Sequence, residues 1–163
     1  MVPGGALRGT ARSGQVNRAF LDTNVLIYVF DRDEPTKQAT ATRLLHKLTE
    51  AGSVLLSTQV LQEFYAVATG KLRRRLSAKE AVDAVEAFAA LPLVTVTPEL
   101  IVGAVRLHQA ESLSFWDALI VQAALAGGAR VLYSEDLQNG RRIGELLIQN
   151  PFVGEAGETR EEA

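Results

Sequence analysis

The chain has 163 residues, a formal net charge of −2 and no cysteine, which excludes disulfide bonds and thiolate metal sites. Two histidines, His46 and His108, are too few for a polyhistidine metal site, and the weak net charge argues against binding nucleic acid mainly through bulk charge. Hydrophobic residues make up 47% of the chain. Because no apolar run approaches the ~20 residues of a membrane span, we expect one globular domain, with the cytoplasm as its default location.

The two ends of the chain differ in composition from the rest. Residues 1–16 are rich in Gly, Ala, Ser and Arg without periodicity, and we expect a flexible extension there. Residues 154–163 contain four glutamates, and we expect an acidic disordered tail. Residues 17–153 show neither an internal repeat nor a linker, which predicts one domain.

Short apolar strands alternate with helices along this domain. In chain order we predict a strand at Ala19–Leu21, helices at 25–30 and 36–51, and a strand at Val54–Leu56. There follow a helix at 58–70 capped by Ser57 or Thr58, a helix from the capping box at Ser77 to Ala90, and a strand at Leu93–Val96. The last predicted elements are a helix from Thr97 to Ala110, a helix from Ser114 to Gly127, and strands at Arg130–Tyr133 and Leu146–Gln149. This alternation predicts an α/β fold with a mostly parallel sheet.

Two acidic residues each follow the carboxyl end of a predicted buried strand. Asp22 follows the first strand and Asp136 the fourth, at the sheet edge where open α/β folds bind ligands. Either residue also fits an Asx turn or a helix N-cap. For Asp22 by itself, the ligand and the turn interpretations have equal weight.

Two further acids lie on helices with apolar faces. Glu63 falls at the margin of an apolar arc that includes Val60 and Val67, although a solvated helix acid is the simpler interpretation of it in isolation. Asp117 is the third residue after Ser114, so it fits a capping box and a favourable position in the helix dipole. Neither acid requires a functional site when it is considered alone.

Together, the four acids favour a metal site. Carboxylates that share a site raise one another's pKa unless a cation neutralises them. Without cysteine or a histidine pair, a hard dication such as Mg²⁺ or Mn²⁺ fits oxygen ligands best. Such an ion activates water and stabilises charge on a phosphodiester, so the implied chemistry is metal-assisted phosphodiester hydrolysis. The candidate residues are Asp22, Glu63, Asp117 and Asp136.

Four segments in this order resemble a PIN-domain ribonuclease, and most closely the VapC toxins of toxin–antitoxin pairs. The segments are Leu21–Tyr28, Leu61–Phe64, Phe115–Ile120 and Ser134–Gln138, and the ending Ile148–Phe152 is similar as well. The resemblance covers about residues 18–153. It implies a three-layer α/β/α fold around a central, mostly parallel sheet and a Mg²⁺- or Mn²⁺-dependent endoribonuclease that cleaves RNA. It also implies a homodimer that a cognate, VapB-like antitoxin silences by entering the active-site groove.

The resemblance also implies a role for each acid. Asp22 and Asp117 would be the firmest metal ligands, Glu63 would orient or activate the attacking water, and Asp136 would complete a second metal position or hold water. Supporting residues would fix these ligands through hydrogen bonds. They are Thr23, Asn24 and Ser134.

Basic and aromatic residues suggest surfaces for RNA. The cluster Lys71–Arg75 is the best candidate for contacting phosphates, with Arg141 and Arg142 as a second, but a solvated helix end explains the first cluster slightly better. Trp116 lies beside Asp117, where it can stack on a base, yet we expect it to pack in the core.

Other function classes match the pattern less well. A haloacid-dehalogenase-type phosphatase needs an acid where Asn24 stands, and a phosphoacceptor receiver domain needs a lysine after the fourth strand, where this chain has none. No nucleophile-elbow motif indicates a serine hydrolase. The main alternative to the enzyme is an RNA-binding regulatory PIN-like module without nuclease activity.

Overall fold

The computed structural model describes residues 17–154, and these residues form six strands and six helices. The expectations for residues 1–16 and 155–163 lie outside the described residues. The strands are β1 (Arg18–Leu21), β2 (Val54–Ser57), β3 (Leu93–Val94), β4 (Ala129–Tyr133), β5 (Arg142–Ile143) and β6 (Leu146–Gln149). The helices are α1 (Thr23–Phe30), α2 (Pro35–Glu50), α3 (Thr58–Gly70), α4 (Ala78–Ala89), α5 (Pro98–Ala110) and α6 (Phe115–Ala126).

The strands form one sheet in the order β3-β2-β1-β4-β6-β5. Every neighbouring pair is parallel except β5 and β6, which are antiparallel. All of β2 and all but the first residue of β1 are buried, so helices must cover both faces of the sheet. Helix α6 packs against β2, β3 and β4 with α5 beside it, while α1, α2 and α3 pack together. The predicted α/β fold with a mostly parallel central sheet is confirmed.

Capping side chains start the helices where the sequence predicts them. Ser57 rather than Thr58 caps α3, since its hydroxyl accepts a hydrogen bond from the Val60 N–H at 3.4 Å. Ser77 and Glu80 form the predicted reciprocal capping box of α4. These interactions fix where each helix leaves the sheet, and therefore where the first-turn side chains lie.

An aromatic cluster holds the helices on one side of the sheet together. The Phe64 ring lies 5.5 Å from the Phe30 ring and 5.1 Å from the Phe88 ring, so α3 is joined to both α1 and α4. Phe64 is fully buried. This packing sets the relative position of α1 and α3, which carry Asn24 and Glu63. Within residues 17–154, no helix has the combination of length and apolarity needed to cross a membrane.

The elements differ from the predictions by more than one residue at three places. Strand β3 ends at Val94 instead of Val96, because the Val96 N–H donates to the Thr58 hydroxyl at 3.1 Å rather than to a strand. Helix α1 begins at Thr23, before the predicted Val25, because Asp22 serves as its N-cap. The two-residue strand β5 was not predicted, since so short a segment has no periodicity to recognise.

Candidate active site

The candidate site lies where the strand order changes direction. From β1 the chain proceeds to β2 on one side and later returns to β4 on the other side. Leu21 and Tyr133 are paired at the carboxyl ends of β1 and β4, and the next N–H, that of Asp22, donates to the Tyr133 carbonyl at 3.0 Å. Asp22 and the segment Ser134–Asp136 therefore leave the sheet side by side at its ligand-binding edge.

Asp22 is a buried carboxylate, with 7% of its surface exposed. One oxygen accepts the Thr23 N–H at 2.7 Å, and the other accepts the Ser134 hydroxyl at 2.7 Å. Burial raises the pKa of Asp22 to about 6, against the lowering effect of these two hydrogen bonds, and the charges of Glu63 and Asp136 add to the rise. The ionised form of Asp22 therefore requires a cation for full stabilisation.

Ser134 and Asn24 connect Asp22 to Asp136. The fully buried Ser134 hydroxyl accepts the Asp136 N–H at 3.2 Å while it donates to Asp22. The Asn24 amide nitrogen lies 3.1 Å from Asp136 Oδ2 and 3.4 Å from Asp22 Oδ2, and its oxygen accepts the Glu135 N–H at 3.2 Å. Asn24 therefore holds the two carboxylates close together, in the supporting role expected of it.

Glu63 is oriented through both of its oxygens. The Thr23 hydroxyl donates to one oxygen at 2.7 Å and the Gln59 amide donates to the other at 2.9 Å. The same Gln59 nitrogen lies 3.4 Å from the Trp116 carbonyl, so Gln59 links α3 to the start of α6. Both partners of Gln59 are acceptors, which fixes its amide nitrogen towards them. Its buried oxygen has no hydrogen-bond partner within the described part of the chain.

Gln59 was not among the predicted site residues. The available signal was its position four residues before Glu63 on the same helix, a spacing at which side chains meet. The sequence offered no sign that this glutamine would be buried and would also bond to the Trp116 carbonyl, because that contact spans 57 residues.

Asp117 lies in the first turn of α6. Its N–H donates to the Ser114 hydroxyl at 3.1 Å, as the capping interpretation predicted. In the described residues its carboxylate makes no hydrogen bond to Asp22, Glu63 or Asp136. Across residues 17–154, no three or more Asp, Glu, His or Cys side chains are grouped as a ready metal-binding cluster. The convergence of all four acids on one ion therefore stays a prediction.

The chemistry of the site nevertheless fits a hard dication. The side chains around Asp22 present oxygen atoms, and within the described chain no lysine or arginine forms an ion pair with any of the four acids. Burial, together with the charges of Glu63 and Asp136, raises the pKa of Asp22 and disfavours its ionised form in the absence of a cation. Oxygen donors with uncompensated charge are the ligands that Mg²⁺ and Mn²⁺ select.

A cavity of about 460 Å³ opens beside the acids. Its lining combines polar, apolar and basic side chains: Thr23, Asn24, Ile27, Glu63, Ala66, Val67, Lys71 and Asp136. The cavity therefore places two of the four acids at a surface that a substrate can reach.

The expectation that Trp116 is a core residue was wrong. Trp116 does not pack in the core, since 64% of its surface is exposed and only Phe115 stacks against it, edge to face at 5.2 Å. Arg141, part of the second candidate surface for phosphates, pairs with Glu111 at 2.7 Å, and its role in RNA contact stays a prediction. It also donates to the Ser112 carbonyl, which joins the α5–α6 connection to the segment before β5.

Comparisons with solved structures show a shared fold. VapC20 of Mycobacterium tuberculosis, described as a toxin that cleaves the sarcin-ricin loop, is 23% identical, with a TM-score of 0.56 over 72% of this chain and 89% of that one. A toxin–antitoxin complex from Klebsiella pneumoniae is 20% identical, with a TM-score of 0.56 over 82% and 98% of the two chains. DNA-bound VapBC from Salmonella typhimurium is 18% identical, with a TM-score of 0.60 over 82% and 98%.

Sequence comparison identifies the family. Among curated proteins, none matches the chain significantly. The family model described as "PIN domain" matches residues 19–144, which include all four acids and most of the chain. The chain belongs to the PIN domain family.

Proposed function

We propose that the chain is a metal-dependent endoribonuclease that hydrolyses phosphodiester bonds in RNA, and that residues 17–153 are its nuclease domain. One observation carries this proposal: a PIN-domain chain buries Asp22 beside Glu63 and Asp136, and no lysine or arginine among residues 17–154 forms an ion pair with these acids. The structures it resembles include a toxin described as cleaving the sarcin-ricin loop, which supports RNA as the substrate.

The proposal assigns metal binding to the four acids and an additional role to Glu63. Asp22, Asp117, Glu63 and Asp136 would hold Mg²⁺ or Mn²⁺, which when bound lowers the pKa of water and stabilises charge on the phosphate. Glu63 fits the orientation of the attacking water, because Thr23 and Gln59 fix both of its oxygens. In this mechanism the water oxygen bonds to phosphorus and its proton passes to the Glu63 carboxylate. The phosphorus–oxygen ester bond breaks, and the leaving ribose oxygen takes a proton from solvent.

The supporting residues keep the acids in position during this reaction. Ser134 and Thr23 hold the oxygens of Asp22, and Asn24 holds Asp136 next to them. In the proposed mechanism, these bonds keep the carboxylates together although their charges repel. Asp117 is joined to the group through the backbone, since the carbonyl of the preceding Trp116 bonds to Gln59.

We further propose that the chain is the toxin of a type II toxin–antitoxin pair. Three of the similar structures are described as toxin–antitoxin or VapBC complexes, which supports an antitoxin as partner. The proposal includes a homodimer in the cytoplasm. Expression of the wild-type chain in a bacterial host without an antitoxin should arrest growth, and Asp22→Asn should relieve the arrest.

The direct test is RNA cleavage by the purified full chain. A mixed RNA pool is incubated with Mg²⁺ or Mn²⁺, with EDTA and the Asp22→Asn variant as negative controls. Asp83→Asn serves as a matched control, because Asp83 is an exposed acid on α4 that pairs only with Lys79 at 3.0 Å in the described chain. Metal-dependent cleavage that Asp22→Asn lacks and Asp83→Asn retains supports the proposal.

A second function is compatible with the same fold. An RNA-binding regulatory module without nuclease activity is favoured by the lack of a cluster of three potential metal ligands among residues 17–154. Binding of the RNA pool without cleavage in any metal would favour this module over the enzyme.

A further inference from the structure

The cavity beside the acids changes chemical character along its length. Thr23 and Glu63 lie at one end, Ile27 and Val67 form an apolar wall, and Lys71 follows further along α3. Eight residues of helix separate Glu63 from Lys71, a distance of about 12 Å. The cavity therefore offers carboxylates, an apolar wall and an ammonium group in succession.

The two helices that frame the cavity keep this order fixed. The Thr23–Glu63 hydrogen bond joins the start of α1 to α3 at 2.7 Å, and the Arg74–Asp33 ion pair joins the segments after the two helices at 3.5 Å. Helices α1 and α3 thus run side by side in the same direction. A second cavity of about 140 Å³ has a mixed lining of three arginines, one acid and two apolar residues: Arg32, Arg74, Arg75, Glu80, Phe30 and Leu76.

Lys71 is available to bind an anion. It is exposed at the C-cap of α3, and no carboxylate in the described part of the chain pairs with it. A lysine at a helix C-terminus is also favoured by the helix dipole. The dipole does not account for its place in the lining of a cavity that also contains two candidate catalytic acids.

We propose that this cavity is a nucleotide subsite for single-stranded RNA. Lys71 binds a backbone phosphate that flanks the scissile one, and the wall of Ile27, Ala66 and Val67 takes the ribose and the base between these phosphates. Alternating phosphates and apolar sugar or base surfaces match the order of charge along the cavity. A single strand is required because its bases are free to enter a pocket, whereas those of an A-form duplex are stacked and paired. The inference rests on the proposed ribonuclease function.

The test measures binding separately from cleavage. Affinity of the full chain for a short single-stranded RNA is measured by fluorescence anisotropy in EDTA at several salt concentrations. Replacing Lys71 by glutamine should weaken binding and reduce the slope of log K against log[salt] by about 0.7, the contribution of one phosphate contact to a single strand. Lys71→Arg should keep the slope. Lys47→Gln should leave it unchanged, because the exposed Lys47 on α2 does not line the cavity.

A second pair of variants tests the apolar wall. Ala66 is exposed on α3, so both Ala66→Glu and Ala66→Gln should fold. The glutamate should weaken RNA binding much more than the glutamine of equal size, since it places a negative charge beside the phosphates. Equal effects of the two substitutions, or equal effects of Lys71→Gln and Lys47→Gln, would overturn the subsite.

Cleavage in Mn²⁺, measured on the same proteins, separates the two proposals. If the wild type cleaves RNA and Lys71→Gln binds and cleaves like the wild type, the subsite is wrong while the nuclease function stands. If Lys71→Gln lowers the salt slope but no protein cleaves RNA, the subsite stands and the nuclease function is wrong. If polyglutamate peptide binding depends on Lys71 and RNA binding does not, the cavity is a protein-docking site and the proposal fails.

Discussion

Replacing Asp22 by asparagine removes the carboxylate that the fold buries most deeply beside other acids. Its pKa of about 6 in the folded chain, against an ordinary value of 3.8, means that the folded state binds a proton more readily than the unfolded state. The contribution of Asp22 to the free energy of unfolding therefore falls as pH rises from about 4 to about 6. Above that range, the full free-energy cost of burying the ionised carboxylate is present. At 1.36 kcal/mol per pKa unit, the ionised group costs about 3 kcal/mol.

The variant should therefore be more stable than the wild type in the absence of metal. Asparagine avoids the buried charge. It accepts only one of the two hydrogen bonds that Thr23 and Ser134 donate to Asp22, and the loss of the other lowers the free energy of unfolding by about 1 kcal/mol. The net gain is about 2 kcal/mol, or a rise in Tm of about 4–8 °C for a domain of this size. Cleavage activity should be lost at the same time.

Thermal unfolding in excess EDTA at about pH 8 and about pH 4 measures this effect, since at the lower pH the charge contribution nearly disappears and the variant should become slightly less stable than the wild type, by up to about 1 kcal/mol for the lost hydrogen bond. Asp136→Asn is the matched comparison, because Asp136 is exposed and should show no comparable gain. An Asp22→Asn variant that is destabilised equally at both pH values would refute the reasoning, since the loss of hydrogen bonds would then outweigh the buried charge.

Further predictions concern metal binding and the neighbours of the acids. Saturating Mg²⁺ or Mn²⁺ should stabilise the wild type at about pH 8, by about 2.7 kcal/mol at a hundred times Kd, and differential scanning fluorimetry should show no such shift for Asp22→Asn. Gln59→Leu should lower kcat about 10- to 100-fold with an unchanged circular dichroism spectrum, because Glu63 loses one of its two orienting bonds; full activity would remove Gln59 from the site. Lys37→Met should lower the free energy of unfolding by about 1–2 kcal/mol in urea titrations, since it breaks the partly exposed ion pair with Glu135, and Lys37→Arg should restore most of it. Ser57→Ala should cost about 1 kcal/mol through loss of the α3 cap, and an unchanged urea midpoint would show that the cap contributes nothing.

Local sequence signals predicted most of the fold. Each predicted strand and helix is present, because apolar runs, capping residues such as Ser77 and Thr97, and glycine at helix ends are all encoded within a few neighbouring residues. Strand β5 was not predicted because no local sequence signal marks it. Its two residues pair with β6 through backbone groups that any sequence provides. The end of β3 was misplaced because a distant hydroxyl, that of Thr58, competes for the Val96 N–H.

The sequence predicted candidate residues for the site but little of their geometry. Asp22 and Asp136 follow strands that are adjacent in the sheet, so their proximity follows from topology. The exposure of Trp116 and the burial of Gln59 depend on how α3 meets α6, which no local pattern contains. The position of the Asp117 carboxylate depends on the same contact between helices, so the sequence could name Asp117 as a candidate but could not place its carboxylate relative to the other acids.

The sheet also has a property that concerns solubility. Its two outer strands, β3 and β5, each have only two residues, although the four strands between them have four or five. An exposed strand edge is a template on which another chain can add a strand, and the strength of such an addition grows with the number of backbone groups available. The two edge strands offer few free backbone N–H and C=O groups to a strand of another chain. The apolar inner strands are thereby protected from edge-to-edge aggregation.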